Sequence, residues 1–235
     1  MRMGIIGAME SEVANLIARM EGVTYQEKAG RRFAVGTLSG KEVVVVQSGI
    51  GKVAAAITAQ ILIDAFAVDA LLNTGMAGGL DSRLAVKDLV IATAALQHDF
   101  DITAFGHARG FMYGKDDTKP TLFVADEALC AKAREAAALA LPAGSKAIDG
   151  IVASGDIFVD DSALKAQLRD GFGAAAAEME GAAIAQAAVA NGVPFVILRT
   201  ISDLAEHQAN VSFDELEKYA GKLAGDITVA LLANL

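Results

Sequence analysis

Tryptophan is absent from the 235 residues, and cysteine occurs once, as Cys130. A lone thiol has no partner for an internal disulfide, so the core must hold the fold, and a cytoplasmic setting is the simplest expectation. Histidine is scarce as well. His98, His107 and His207 show no metal-ligand spacing, so neither a metal nor another cofactor is expected. Basic residues are in deficit, 20 Lys and Arg against 29 Asp and Glu, for a formal charge of −9. That balance argues against binding a nucleic-acid backbone and favours a small ligand that is not strongly anionic. No apolar run approaches the roughly 20 residues of a bilayer span. The start, Met1 to Gly7, has one basic residue, a short apolar run and no cleavage-like site, so it reads as a first strand rather than a signal peptide. Repeats, low-complexity tracts and Pro/Ser-rich linkers are missing too, which predicts one domain over residues 1–235.

What is present is apolar: 54% of the chain, mostly Ala, Val, Ile and Leu. Such richness suits buried parallel strands flanked by helices. The run Gly4 to Met9 leads into a helix at Ser11 and Glu12, with Val13, Leu16, Ile17 and Met20 at helical spacing. Phe33 to Leu38 and Glu42 to Gln47 flank Ser39-Gly40-Lys41, a hairpin signal. Further helices are predicted at Lys52 to Ala65, Asp126 to Leu139, Ser162 to Arg169, Gly181 to Ala190 and from about Ser212. Strands are predicted at Ala70 to Thr74, Leu89 to Thr93, Ile148 to Ala153, near Ala175 and at Phe195 to Ile201. Gly75 to Gly79 reads as a glycine turn. Gln97 to Pro120 reads as a long loop, of the kind that usually serves function or an interface. The alternation predicts a single-domain, three-layer α/β/α fold with a central mixed sheet.

Several strands end in a short polar or glycine-rich segment: GAMESE, NTGMAGGL, SGDIFV, EMEGAA and RTISD. Ligands in open α/β sheets collect at the carboxyl ends of strands, so these five segments are expected to meet in one pocket. Gly4-Ile5-Ile6-Gly7 is no dinucleotide fingerprint, because the third glycine is missing and acids follow. Gly51-Lys52 lacks the spacing and the Ser/Thr of a phosphate loop.

Single residues have ordinary explanations. Glu12 suits a helix macrodipole, Asp203 a cap or turn, Glu178 and Glu180 a first helical turn, and Phe158 and Phe213 a core. Arg199 is harder to dismiss, since a guanidinium on a buried strand needs a carboxylate or polar ligand nearby.

Together, GIIGAMESEV, SGIGKVAAA, NTGMAGGL, HDFDITAFG, VASGDIFV, EMEGAAIAQ, GVPFVILRTISD and SFDE resemble, in order and spacing, the methylthioadenosine/S-adenosylhomocysteine nucleosidases of the nucleoside phosphorylase superfamily. The likeness spans essentially the whole chain and implies a nucleoside phosphorylase-like fold. It implies that Asp203 protonates the imidazole-ring nitrogen of adenine, which requires a carboxyl with a raised pKa, as burial beside a purine would provide. Glu12 would activate water at the anomeric carbon, in the two-carboxylate logic of inverting glycoside hydrolysis. Glu180 would accept the ribose hydroxyls and Met179 would pack on the sugar. Phe158 would stack on the base, with the Val159 main chain reading its amino edge. Gly78 would admit close backbone approach, Arg199 would help hold the water or the ribose, and Phe213 would close over the base. Phe105 would line the alkylthio pocket of a neighbouring subunit, which makes a homodimer the expected assembly.

Two segments depart from the family pattern. Met76 stands where many relatives carry a small polar residue that helps place the water, which leaves that task to Glu12 and Arg199. GHARGFMYGKDDTKP also differs, leaving the preference at the ribose sulfur open. Rival readings are an aminodeoxyfutalosine nucleosidase, a same-fold purine nucleoside phosphorylase, and a non-catalytic nucleoside-binding module. Glu10 and Glu12 would repel the phosphate a phosphorylase needs, and intact acid, base and ribose carboxylates argue against the binding module.

Overall fold

A computed structural model describes residues 1–204 and 213–235, with the side chains of 204, 213 and 214 outside the description. His207 and Ser212 therefore lie outside the described residues, and Phe213 is described only as the first residue of its helix.

The chain runs β1 (Arg2–Gly7), α1 (Glu10–Arg19), β2 (Glu21–Lys28), β3 (Arg31–Leu38), β4 (Lys41–Gln47), α2 (Lys52–Phe66), β5 (Ala70–Gly79), β6 (Leu89–Gln97), β7 (Phe123–Val124), α3 (Glu127–Ala140), β8 (Ala147–Ser154), α4 (Ser162–Phe172), β9 (Ala174–Glu178), α5 (Gly181–Ala190), β10 (Phe195–Leu204) and α6 (Phe213–Ala233). All strands join one mixed sheet, ordered β10-β6-β8-β9-β5-β1-β4-β3-β2, with β7 beside β6. A further parallel pairing of β10 with β5 closes the β5-β9-β8-β6-β10 portion on itself. Carboxyl ends of several strands therefore ring one opening.

The central strands are buried almost end to end, as parallel strands covered on both faces require. Met3, Ile5, Ile6, Val43 to Val46, Leu71 and Leu72 are all fully buried. α1 packs Val13 and Leu16 inward, and α5 buries an alanine-rich face that lets it lie close to the sheet. Among the described residues, no helix is long and apolar enough to cross a membrane.

Two sequence expectations need correction. Gly75 to Gly79 is not a turn: β5 continues through it to Gly79, held by β10 on one side and β9 on the other. Tertiary pairing there outweighs the weak strand preference of glycine. The sequence reading also passed over β2, an exposed edge strand whose residues are mostly polar and so lack a buried-face alternation. The Gln97 to Pro120 segment is a long connection after β6, carrying a single 3₁₀ turn at Thr103–Phe105.

Candidate active site

The five strand-end segments do converge. One cavity of about 200 Å³ takes walls from all of them, including Glu12, Met76, Gly78, Phe158, Val159, Met179, Glu180 and Asp203. That volume is several times the roughly 30 Å³ a water molecule occupies in the liquid.

Glu12 reaches the cavity from the first turn of α1, where it is 3% exposed. Its Oε2 accepts the N–H groups of Ala8 at 2.6 Å and Met9 at 3.0 Å. Its Oε1 accepts the Met76 N–H at 3.1 Å. The first two bonds are those of a helix-start acid. The third crosses to β5 and fixes the carboxylate at the mouth of the sheet. Burial pushes the Glu12 carboxyl up from the usual range, against the opposing pull of Arg199 and the three amides. Close approach is possible only because position 75 is glycine: a Cβ there would overlap the Arg199 guanidinium and stand 2.5 Å from Glu12 Oε1. Of Gly75 and Gly78, the tighter requirement thus falls on Gly75. At Gly78, on the cavity wall, a Cβ would meet Asp203 Oδ2 at 3.4 Å, an ordinary contact.

Glu178 and Glu180 flank Met179 where β9 passes into α5. Glu178 accepts the N–H of Glu180 at 3.0 Å and of Gly181 at 2.8 Å, as well as bonds from Ser154 Oγ and Arg199 Nη2. Glu180 stands at the N-cap position of α5, its side chain turned away from the helix amides, and accepts the Gly51 N–H at 2.9 Å. Burial first, then the neighbouring Glu178 charge, pushes the Glu180 carboxyl up to about 7. Arg199 is fully enclosed on β10 and is not part of the cavity wall. Its Nη2 also donates to Asn73 Oδ1 at 2.6 Å and stands 3.7 Å from Glu180 Oε2. Burial opposes its charge, but Glu178, Glu180 and Glu12 together hold it charged. Arg199 therefore lies behind the carboxylates instead of facing water or ribose. The partner its burial demands is Glu178, which by sequence alone suits a helix-start acid.

At the end of β10 the pairing with β5 shifts register between Ile201 and Asp203. Such an irregularity re-aims side chains, and both Ser202 and Asp203 line the cavity. Ser202 Oγ donates to Asp203 Oδ1 at 2.9 Å, and Lys165 Nζ stands 3.3 Å from Asp203 Oδ2. The protein leaves the Asp203 side chain 39% exposed.

Phe158 is 70% exposed at the cavity rim, beside Val159. Phe105 stands 80% exposed on the long connection and does not line this chain's own cavity. Met9, Ile50 and Ile157 complete the apolar wall. The sequence reading singled out none of these three, and it missed Lys165 as well. No cluster of His, Cys, Asp and Glu suited to a metal occurs among the described residues.

A profile of the phosphorylase superfamily matches residues 2–233. A 5'-methylthioadenosine/S-adenosylhomocysteine nucleosidase of Shewanella halifaxensis is 43% identical over 236 residues, covering 100% of both chains. The structure of a nucleosidase of the same name from Colwellia psychrerythraea, in complex with adenine, superposes with a TM-score of 0.90 at 41% identity, covering 100% of this chain and 96% of that one. A futalosine hydrolase mutant of Helicobacter pylori gives a TM-score of 0.90 at 33% identity, covering 100% and 99% of the two chains.

Proposed function

The chain belongs to the phosphorylase superfamily and, within it, to the methylthioadenosine/S-adenosylhomocysteine nucleosidases, and from that premise we propose that it hydrolyses the N-glycosidic bond of both nucleosides, giving adenine with methylthioribose or S-ribosylhomocysteine. One observation carries this reading: Glu12 and Asp203, from opposite ends of the chain, face a single cavity whose other charged lining, among the described residues, is Glu178 and Glu180.

In the proposed reaction Asp203 protonates the imidazole-ring nitrogen of adenine, so that the base departs neutral. Glu12, fixed by three amides and raised by burial, takes the proton of the attacking water. Positive charge grows on the ribose as the bond breaks, and the carboxylates of Glu12, Glu178 and Glu180 stabilise it. Glu180 accepts ribose hydroxyls, and Met179 packs on the sugar. Phe158 stacks on adenine, the Val159 main chain reads its amino group, and the Gly78 backbone lies close to the base. Arg199 acts from behind by fixing Glu178 and Glu180. Phe213 closes over the base. Phe105 serves a neighbouring subunit, which makes the working form a cytoplasmic homodimer that needs no cofactor.

Phosphate is disfavoured as nucleophile, because a doubly charged anion would face Glu12, while Arg199 is already engaged by Glu178 and Asn73. A second reading, aminodeoxyfutalosine as substrate, is favoured by the likeness to the Helicobacter protein. The deciding experiment follows adenine release from methylthioadenosine, S-adenosylhomocysteine and aminodeoxyfutalosine, with and without phosphate. Free methylthioribose formed without phosphate supports the proposal. A sugar phosphate, or release from aminodeoxyfutalosine alone, refutes it.

A further inference from the structure

α4 turns two residues inward, Lys165 and Leu168, one helical turn apart. Leu168 does so for an ordinary reason, since it packs with Leu80, Leu96 and Ala153 in a small apolar cluster. Lys165, at 6% exposure, occupies a position that would suit a second apolar side chain. Burying an ammonium is costly unless it is paired. Among the described residues, the side chain within hydrogen-bond reach of Lys165 Nζ is Asp203, with Oδ2 at 3.3 Å.

We propose that Lys165 is a positioning residue for Asp203, holding its carboxylate at the base-binding end of the cavity and storing in its ammonium the proton that Asp203 passes to the purine. This rests on Asp203 being the acid. Among the described residues, few groups face Asp203. β10 supplies the Ser202 hydroxyl, β5 the uncharged Gly78, and α4 supplies Lys165. The other titratable groups of the cavity are Glu12 from α1, Glu178 from β9 and Glu180 at the cap of α5.

In the open cavity water supports the ion pair. A purine lying over Asp203 removes that water, and desolvation favours the uncharged forms of both partners. The proton then moves from Nζ to Oδ2: an N–H bond breaks, an O–H bond forms, and a neutral amine faces a carboxylic acid. Asp203 gives this proton to the ring nitrogen while the glycosidic electron pair passes to the purine. Water supplies the oxygen at the anomeric carbon and loses its proton to Glu12. The amine is reprotonated from solvent once adenine has left. The ammonium beside Asp203 thus supplies the proton that the departing base takes up.

The test is the pH profile of kcat/KM for Lys165→Met and Lys165→Arg. Methionine matches the shape without the charge, and replacing a buried ionic side chain in this way is often tolerated or stabilising. Lys165→Met should retain most of its rate at mildly acidic pH and lose about a hundredfold at alkaline pH, its basic limb moving to lower pH. Arginine keeps a cation beside Asp203 but does not surrender its proton, so Lys165→Arg should share the alkaline defect while melting like the wild type. If Lys165→Met does not fold, Lys165→Arg carries the test. A Lys165→Met profile that superimposes on the wild type, a basic limb moved to higher pH, or full alkaline activity in Lys165→Arg overturns the role of Lys165. A wild type that releases no adenine from any nucleoside overturns the functional reading instead.

Discussion

Arg199 Nη2 donates to Glu178 Oε2, on a residue two positions before the expected ribose ligand Glu180. Both partners are almost completely enclosed. Glu178 also takes two amides at the start of α5 and the Ser154 hydroxyl. This pair joins β10 to β9 directly beneath the cavity.

Removing one member of such a buried pair leaves the other uncompensated. Glu178→Ala is expected to destabilise the fold by about 3 kcal/mol, read from the urea midpoint. Unchanged stability would mean that Asn73 and Glu180 suffice to hold Arg199.

Glu12 and Asp203 make a contrasting prediction, since their bonds serve the site more than the core. Glu12→Gln should fold and bind adenine while its kcat falls by about 10²–10⁴. Asp203→Asn should lose turnover to a similar extent and still bind. Calorimetric titration with adenine beside turnover assays separates the two effects. Near-normal turnover in either variant removes that residue from its role.

At Gly75 a single methyl group should do more harm than at Gly78. A Cβ at position 75 would overlap the Arg199 guanidinium and press on Glu12. Gly75→Ala is expected to cost about 1–3 kcal/mol in stability and to abolish most activity, whereas Gly78→Ala should fold normally. Equal melting temperatures for the two variants would contradict the asymmetry.

Glu180 sets a pH dependence with a defined sign. Its carboxyl is raised from 4.5 to about 7 in the folded protein, so the folded state holds a proton that the unfolded chain has released. The fold therefore loses stability as pH rises from about 4.5 to about 7, and the loss levels off above that. Against Glu180→Gln the wild type should grow relatively less stable across that window, by about 3 kcal/mol. Parallel urea titrations of the two proteins at several pH values check it, and a difference independent of pH would contradict it.

Much of this was legible in the sequence because strand ends write themselves as glycine and acid clusters. GAMESE, NTGMAGGL and RTISD each placed a cavity residue before any fold was known. What escaped had physical reasons. β2 lies exposed at the sheet edge, so EGVTYQEK carries no buried alternation. Gly75 to Gly79 has the composition of a turn, yet two neighbouring strands hold it extended. Lys165 looks like any helical lysine until Asp203, 38 residues away, comes within reach. The need of Arg199 for a carboxylate was readable, but which of the nearby acids met it depended on how β9 and β10 sit in the closed sheet.

The central claim is that water, activated by Glu12, attacks the sugar. Turnover of methylthioadenosine in ¹⁸O-labelled water containing phosphate, followed by mass spectrometry of the sugar, addresses it directly. The account predicts methylthioribose carrying the label in its anomeric hydroxyl. An unlabelled methylthioribose phosphate would contradict it.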